Sequence, residues 1–281
     1  MSNTLTNLAP DLYKAADIVA RELVGAIPSS LVNADGSEQA AVNRVVRSHR
    51  TQQPSAKDFT PSMTIPEGDD QTVENEQLTL TKQRAVQIPW TGEEISFTNA
   101  GSGFQTVLGD QFAQAMRVLT NEMEVDLLTE IYKNASRSVG SAGTTPFSAN
   151  FDKVAETRQI LVDNGMPTDG QASLVMNTLA GTNLRNLAQL QKANEAGSDR
   201  LVRQGALLDL QGLMMKESAG VQTHSAGSGS GYQVNKSGGL SAGATTIPVD
   251  TGSGPILAGD VVTIGNHDYV VATDLASGIF T

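Results

Sequence analysis

Three histidines, His49, His224 and His267, are the side chains best suited to acid–base or metal chemistry near neutral pH, and their spacing favours neither. No HxxxH or HExxH pair is present, so no two imidazoles share a helical face as zinc sites of that kind require. His49 falls in a basic stretch, His224 in a Gly/Ser boundary and His267 in an expected hairpin turn. His267-Asp268 with a serine would supply the parts of an acyl-transfer triad, yet there is no GxSxG elbow, and adjacent His-Asp pairs are common in turns. The glycines Gly227, Gly229 and Gly231 have neither an apolar strand before them nor a helix after them, which makes a linker the better reading than a phosphate loop. Trp90 follows Ile88-Pro89 at a strand end, where packing at a hairpin base outweighs ligand stacking. With no cysteine, thiolate catalysis, disulfides and cysteine-held metals are excluded. These residues single out no catalytic, cofactor-binding or metal-ligating side chain; no enzyme and no cofactor are expected.

Charge is the second kind of chemistry on offer. The 281 residues carry a formal net charge of −11, which argues against a surface that grips nucleic acid by counterion release. The distribution is uneven. Arg44, Arg47 and Arg50 form a basic run, Lys82 and Arg84 follow later, and Glu67, Asp69, Asp70, Glu74 and Glu76 crowd into ten residues. Single charge runs are usually solvated loop surface, whereas complementary runs of this kind can also meet between subunits and set their register.

The elements that must carry these groups begin with an amphipathic helix after Pro10-Asp11, with Leu12, Ala16, Val19, Leu23 and Ala26 on one side and Pro28 at its end. Residues 29–60 are polar, with Asp35-Gly36 as a turn, and Pro54, Pro61 and Pro66 mark an extended stretch. Past the acidic turn at 67–70, alternation of Leu78, Leu80, Lys82, Arg84, Val86 and Ile88 predicts a long strand, so that two extended arms form a protruding hairpin. Phe104 to Ala135 predicts one helix of about thirty residues and roughly 45 Å, with Phe104, Leu108, Phe112, Met116, Leu119, Met123, Leu127 and Ile131 along one side. Then come a Gly/Ser/Thr loop at 138–146, a helix over 150–164, a short buried strand at 172–176, a helix over 178–190 and an apolar stretch at 205–216 that crosses a core. The runs SAGSGSG and SGGLSAG mark a module boundary. Beyond them, short strands at 245–249, 260–264 and 269–273 suit a small antiparallel barrel that three strands do not close; the chain is expected to be truncated there. No apolar run reaches the eighteen or so residues of a membrane span, and the N-terminus lacks the features of an export signal.

The order of these elements resembles the HK97-like major capsid proteins of tailed double-stranded DNA phages, and within them the Salmonella podovirus P-twenty-two coat type with an inserted β-barrel. The matching stretches are DIVARELVGAIPSSL for the arm, PSMTIPEGDDQTVENEQLTLTKQRAVQIPW for the extended loop, FQTVLGDQFAQAMRVLTNEMEVDLLTEIYKNA for the spine helix and LAGDVVTIGNHDYVV for the insertion. The resemblance implies an α+β, HK97-like capsid fold: N-terminal helical arm 1–50, extended-loop hairpin 51–100, peripheral domain with the spine 101–170, partial apical domain 171–230 and an incomplete β-barrel insertion 231–281. It implies self-assembly into hexamers and pentamers of an icosahedral shell enclosing packaged DNA without sequence-specific binding. A scaffolding protein and a portal are the implied partners, with assembly in the bacterial host cytoplasm and residence in the virion capsid.

Elementary energetics point the same way. Ordering about thirty residues of extended arm costs roughly 1 to 2 kcal/mol each, so an arm without its own core needs contacts from a neighbour. Arg44, Arg47, Arg50, Glu67, Asp69, Asp70, Glu74, Glu76, Lys82 and Arg84 are the candidate contact residues. The alternatives are another phage structural protein such as a tail-tube or decoration subunit, an encapsulin-like nanocompartment shell, and a hydrolase built on His267 and Asp268, for which the residues give little reason.

Overall fold

The structure is a computed structural model. It describes residues 25–30, 45–52, 54, 56, 58, 61, 70–89, 91–92, 103–167, 170–192, 200–207, 209–241, 243–275 and 279–280. Two units result, residues 31–87 and the remainder of the chain.

Within the smaller unit, β1 (Val45–Thr51) and β2 (Val73–Thr79) form an antiparallel hairpin, with Val45 opposite Thr79 and Thr51 opposite Val73. The expected hairpin is present, but its strands are displaced from the expected positions. One of them lies in the polar stretch before Pro54. The other stops at Thr79, and residues 80–89 continue without a ladder despite their alternating apolar residues. Alternation provides a face, whereas a strand also needs a partner for its backbone, and the described partner ends at Val45. Apart from Val46, every residue of the two strands is exposed, Val73 and Leu78 included. Two strands without a buried face are marginal in water.

The larger unit opens, among described residues, with a 3-10 turn at Ile27–Ser29, which carries Pro28 in its first positions. The amphipathic helix expected over residues 12–26 lies outside the described residues up to position 24. The long helix α1 runs Gly103–Lys133, 31 residues as its periodicity demands. Its burial is unexpected. Phe112, Met116, Met123 and Ile131 of the apolar stripe are all more than half exposed, and Leu119 and Leu127 are half-buried; among the described side chains of the helix, the buried ones are Ala115, Arg117 and Glu124.

After α1 come α2 (Asp152–Asp163), β3 (Ser173–Met176), α3 (Thr178–Asn186), α4 (Ala188–Gln191), α5 (Arg200–Gln204) and β4 (Met214–Glu217). Helix α2 ends where Asn164-Gly165 predicts, with Gly165 at φ 90°. The single helix expected over 178–190 is broken at Leu187, whose extended backbone (φ −64°, ψ 124°) separates α3 from α4. Across the break, Leu187 and Leu190 still lie in the same cluster as Ala180 and Leu184. Asn177 caps α3 by accepting the Ala180 N–H at 2.8 Å. Strands β3 and β4 pair in parallel, Ser173 opposite Met214 and Met176 opposite Glu217, so 205–216 enters the core as an edge of a β-α-β unit. The cluster of Val154, Met176, Ala180, Leu184, Leu187, Leu190, Leu201, Leu213 and Met215 is its core. Arg185 grips the Glu217 carboxylate with two N–H donors and gives its Nε to the Gly205 carbonyl at 2.8 Å, tying α3 to β4.

The C-terminal strands are β5 (Gln233–Val234), β6 (Ile247–Asp250), β7 (Val261–Ile264), β8 (His267–Val270) and β9 (Ile279–Phe280). They form a three-stranded sheet in the order β5-β6-β9 and a separate β7-β8 hairpin, around a small cluster of Val249, Ile256 and Val271. The Gly265-Asn266 turn is as expected, but β8 begins directly after it, which moves His267 from a turn into a strand. The Gly/Ser run at 225–231 is also no slack linker. Gly229 donates to the Pro255 carbonyl at 2.8 Å, Ser230 bridges Ser253, and a Cβ at Gly227 would sit 2.3 Å from the Pro255 oxygen. These glycines permit close backbone approach.

Candidate functional site

The sequence offers two kinds of candidate, the histidines and the charged runs, and the fold separates them. His49 is exposed on β1 opposite Asn75. His267 opens β8, and its ring meets the edge of Tyr269 at 6.4 Å. Successive strand residues point to opposite faces, so Asp268 does not orient the neighbouring imidazole; its carboxylate accepts from Thr263 Oγ1 at 2.7 Å instead. Among the described residues, no three His, Asp or Glu side chains gather as a metal would require.

His224 does have a partner, 36 positions away. Its Nε2 lies 2.7 Å from Asp260 Oδ1, and its ring sits 5.6 Å from that of Tyr132 at the end of α1. Asp260 also accepts the Leu257 N–H at 2.8 Å and the Gly227 N–H at 3.1 and 3.2 Å. Burial pushes this carboxyl up, but the N–H donors of Leu257 and Gly227 and the His224 ring outweigh it, and the group is held below the ordinary carboxylate range. Gly259, at φ 99°, makes room: a Cβ there would lie 2.7 Å from the Tyr132 ring. Alongside, Ser138 donates its N–H to Asp268 O, and the Arg137 guanidinium lies 4.8 Å over the Tyr269 ring. The β-module is thereby seated on the C-terminal end of the spine. An open cleft of about 310 Å³ is left between Arg137, Ser138, Lys153, Glu156, Asn266 and His267, with Lys153 held by Glu156 at 2.7 Å.

The second buried carboxylate is Glu124, in the middle of α1 and fully buried. It accepts the N–H groups of Gly25 and Ala26 at 2.7 Å each and of Ile27 at 2.9 Å. Burial again pushes the carboxyl up; the N–H donors of Ala26 and Ile27, the Ser218 hydroxyl and the Gly25 N–H together bring it below its ordinary value. Sequence reasoning missed both carboxylates, because all their partners except the Leu257 N–H, namely backbone groups, a serine and a histidine, lie dozens of residues distant.

Of the charged candidates, the hairpin register puts Arg50 directly opposite Glu74, Ser48 opposite Glu76 and Arg47 opposite Gln77. Glu74 Oε1 is also reached by Gln52 at 3.5 Å. Asp70, Lys82 and Arg84 are exposed outside the ladder; Arg44, Glu67 and Asp69 lie outside the described residues. The exposed surface of this unit is therefore a charged, cross-strand face, and that of α1 is the apolar stripe from Phe112 to Ile131. Neither arrangement performs bond chemistry, and both are suited to contact with another macromolecule.

No protein-family model matches the chain, and no curated protein sequence does. A solved structure from Mycobacterium phage Che8 is similar in fold: TM-score 0.52, 17% identity, covering 79% of this chain and 80% of that one. The chain has a mixed α+β fold shared with a phage protein, and no described helix is long and apolar enough to cross a membrane.

Proposed function

We propose that this chain is the major capsid protein of a tailed double-stranded DNA phage, with an HK97-like fold, which assembles with copies of itself into the icosahedral shell around the packaged genome. The observation that carries the reading is the fold shared with a phage protein over 79% of the chain, in a molecule whose spine turns its apolar stripe outward. A shell subunit repeats in hexamers and pentamers, so surfaces that are unsatisfied in one copy are covered by the next. The hairpin of β1 and β2 has the same character: strands with only Val46 buried gain stability by lying on a neighbour. In this reading the acids Glu67, Asp69, Asp70, Glu74 and Glu76 and the bases Arg44, Arg47, Arg50, Lys82 and Arg84 set register between copies. A scaffolding protein and a portal assist assembly, no catalysis or cofactor is involved, and a net charge of −11 suits a container that must release its DNA.

Electron microscopy and size-exclusion chromatography of the protein expressed at natural gene length test the reading. Closed shells or polyheads support it; a clean monomer in the presence of scaffold refutes it. Met116→Lys with Met123→Lys should abolish or derange shells while changing subunit stability by no more than about 0.5 kcal/mol, since these exposed side chains contribute little to folding; separately, Asp69→Lys with Asp70→Lys should impair assembly while leaving subunit folding intact. Normal shells from both double variants would remove these surfaces from the assembly.

A further inference from the structure

Glu124 is a fully buried anion whose partners in the structure are neutral donors: three successive backbone N–H groups and the Ser218 hydroxyl. A buried carboxylate is tolerated only where its lone pairs are filled, so the three N–H groups and the carboxylate hold each other in place. We propose that Glu124 is the fastening point of a releasable strap, residues Gly25 to Ser30, which this one carboxylate clamps to the middle of α1 and to the exit of β4. The inference goes beyond the shell reading and stands whether or not the chain builds a shell.

Further contacts define the strap and the wall behind its carboxylate. Gly25 seats against β3 and β4 so closely that a Cβ would lie 2.9 Å from Ser218 Cβ, 3.0 Å from the Glu217 carbonyl and 3.1 Å from Val175 Cγ1. Lys216 Nζ reaches Ser29 Oγ at 2.8 Å on the exposed side, and Ala26 is buried. Gly220 lies close enough to Glu124 and Leu128 that a Cβ would approach them at 3.2 and 3.5 Å, which completes the wall behind the carboxylate. None of the strap residues belongs to the core of Val154, Met176, Leu184 and Leu213, whose members lie between α2 and β4 in the chain. The strap can therefore leave and water can reach Glu124 without opening that core, as in the local opening of a low-stability segment. Apolar burial contributes little here, since Ala26 is its only buried side chain, and the hydrogen bonds dominate.

The test is amide hydrogen exchange on the full chain and on two variants. In Glu124→Gln, the side-chain amide turns an N–H₂ group toward backbone donors, and exchange at Gly25, Ala26 and Ile27 should quicken about tenfold or more. Amides of Met214–Glu217 and of α3 should keep their rates. Gly25→Ala leaves the carboxylate intact but denies the strap its seat, and should quicken the same three amides. Unchanged exchange of the three amides in both variants overturns the proposal. So does loss of protection in the strap and the β3-β4 ladder together, because the strap would then be part of the core and not releasable from it.

Discussion

Replacing Asp260 by Asn should loosen the C-terminal β-module while leaving the β3-β4 core intact. The carboxylate accepts from Leu257 N, Gly227 N and His224 Nε2, and an amide in its place keeps one acceptor and turns two hydrogens toward groups that themselves donate. Hydrogen bonds to a charged group are worth about 1.5 to 3 kcal/mol each, and a donor left unsatisfied costs a similar amount, so about 3 kcal/mol is the expected loss. The buried module cluster consists of Val249, Ile256 and Val271, whose burial supplies about 1.5 to 3 kcal/mol apiece before entropy is subtracted. Against so small a core the loss is large. Amide protection of Val249 and Val271 should fall about a hundredfold, and proteases should cut between Gly227 and Asp260, with the β3-β4 amides unaffected. The acid dependence has a defined sign. Because the Asp260 carboxyl is lowered in the folded chain, its stabilisation is fully present above the ordinary carboxylate value of about 4 and is lost as pH falls through the lowered one. From pH 5 to 8 this carboxyl contributes no slope. Module protection in the variant equal to that of the wild type at pH 7 would refute the assignment of Asp260 as its organising group.

Leu184→Ala should cost about 2 to 5 kcal/mol in a denaturant melt, since Leu184 is 1% exposed at the centre of the main cluster and its removal leaves a cavity. A loss under 1 kcal/mol would mean that the α3 face repacks freely. Gly181→Ala places a Cβ only 1.7 Å from Glu217 Oε1, an atom that Arg185 holds in place, so the Arg185–Glu217 grip must break or α3 must shift. The expected cost is about 1 to 3 kcal/mol, and loss of that cost when Gly181→Ala is made in a Glu217→Ala background would show that the clash is with this carboxylate alone.

How far these elements can be read from the residues depends on the range over which their causes act. The periodicity from Phe104 to Ile131 specifies a helix, because i, i+3 and i+4 spacing is a local property, and α1 has the length that the spacing implies. The same holds for the end of α2 at Asn164-Gly165 and for the β7-β8 turn at Gly265-Asn266. Elements set by a distant partner read poorly. The strand expected from Leu78 to Ile88 keeps a ladder only as far as Thr79, and the helix expected over 178–190 is broken at Leu187, with Leu187 and Leu190 in the cluster of Leu213 and Met215. The candidate charges are legible as composition but not as geometry: that Arg50 faces Glu74 follows from a ladder register that no local pattern specifies.

The long helix joins these two ranges. Its hydrophobic stripe is written in the sequence, yet among its described side chains the one buried most completely is Glu124, while Phe112, Met116, Met123 and Ile131 stay more than half exposed. An amphipathic helix that packed by its stripe would need no anion to fix its neighbours. Here polar bonds select what sits on the inner face: the Gly25 to Ile27 backbone against Glu124, and at the C-terminal end the His224–Asp260 pair against Tyr132. Hydrogen bonds of this kind fix register through direction, whereas apolar contact is tolerant of sliding. In the shell we propose, a subunit that locates its own segments by hydrogen bonds would keep its apolar stripe available for contact between copies, a division of labour that suits the long helix of a repeating assembly.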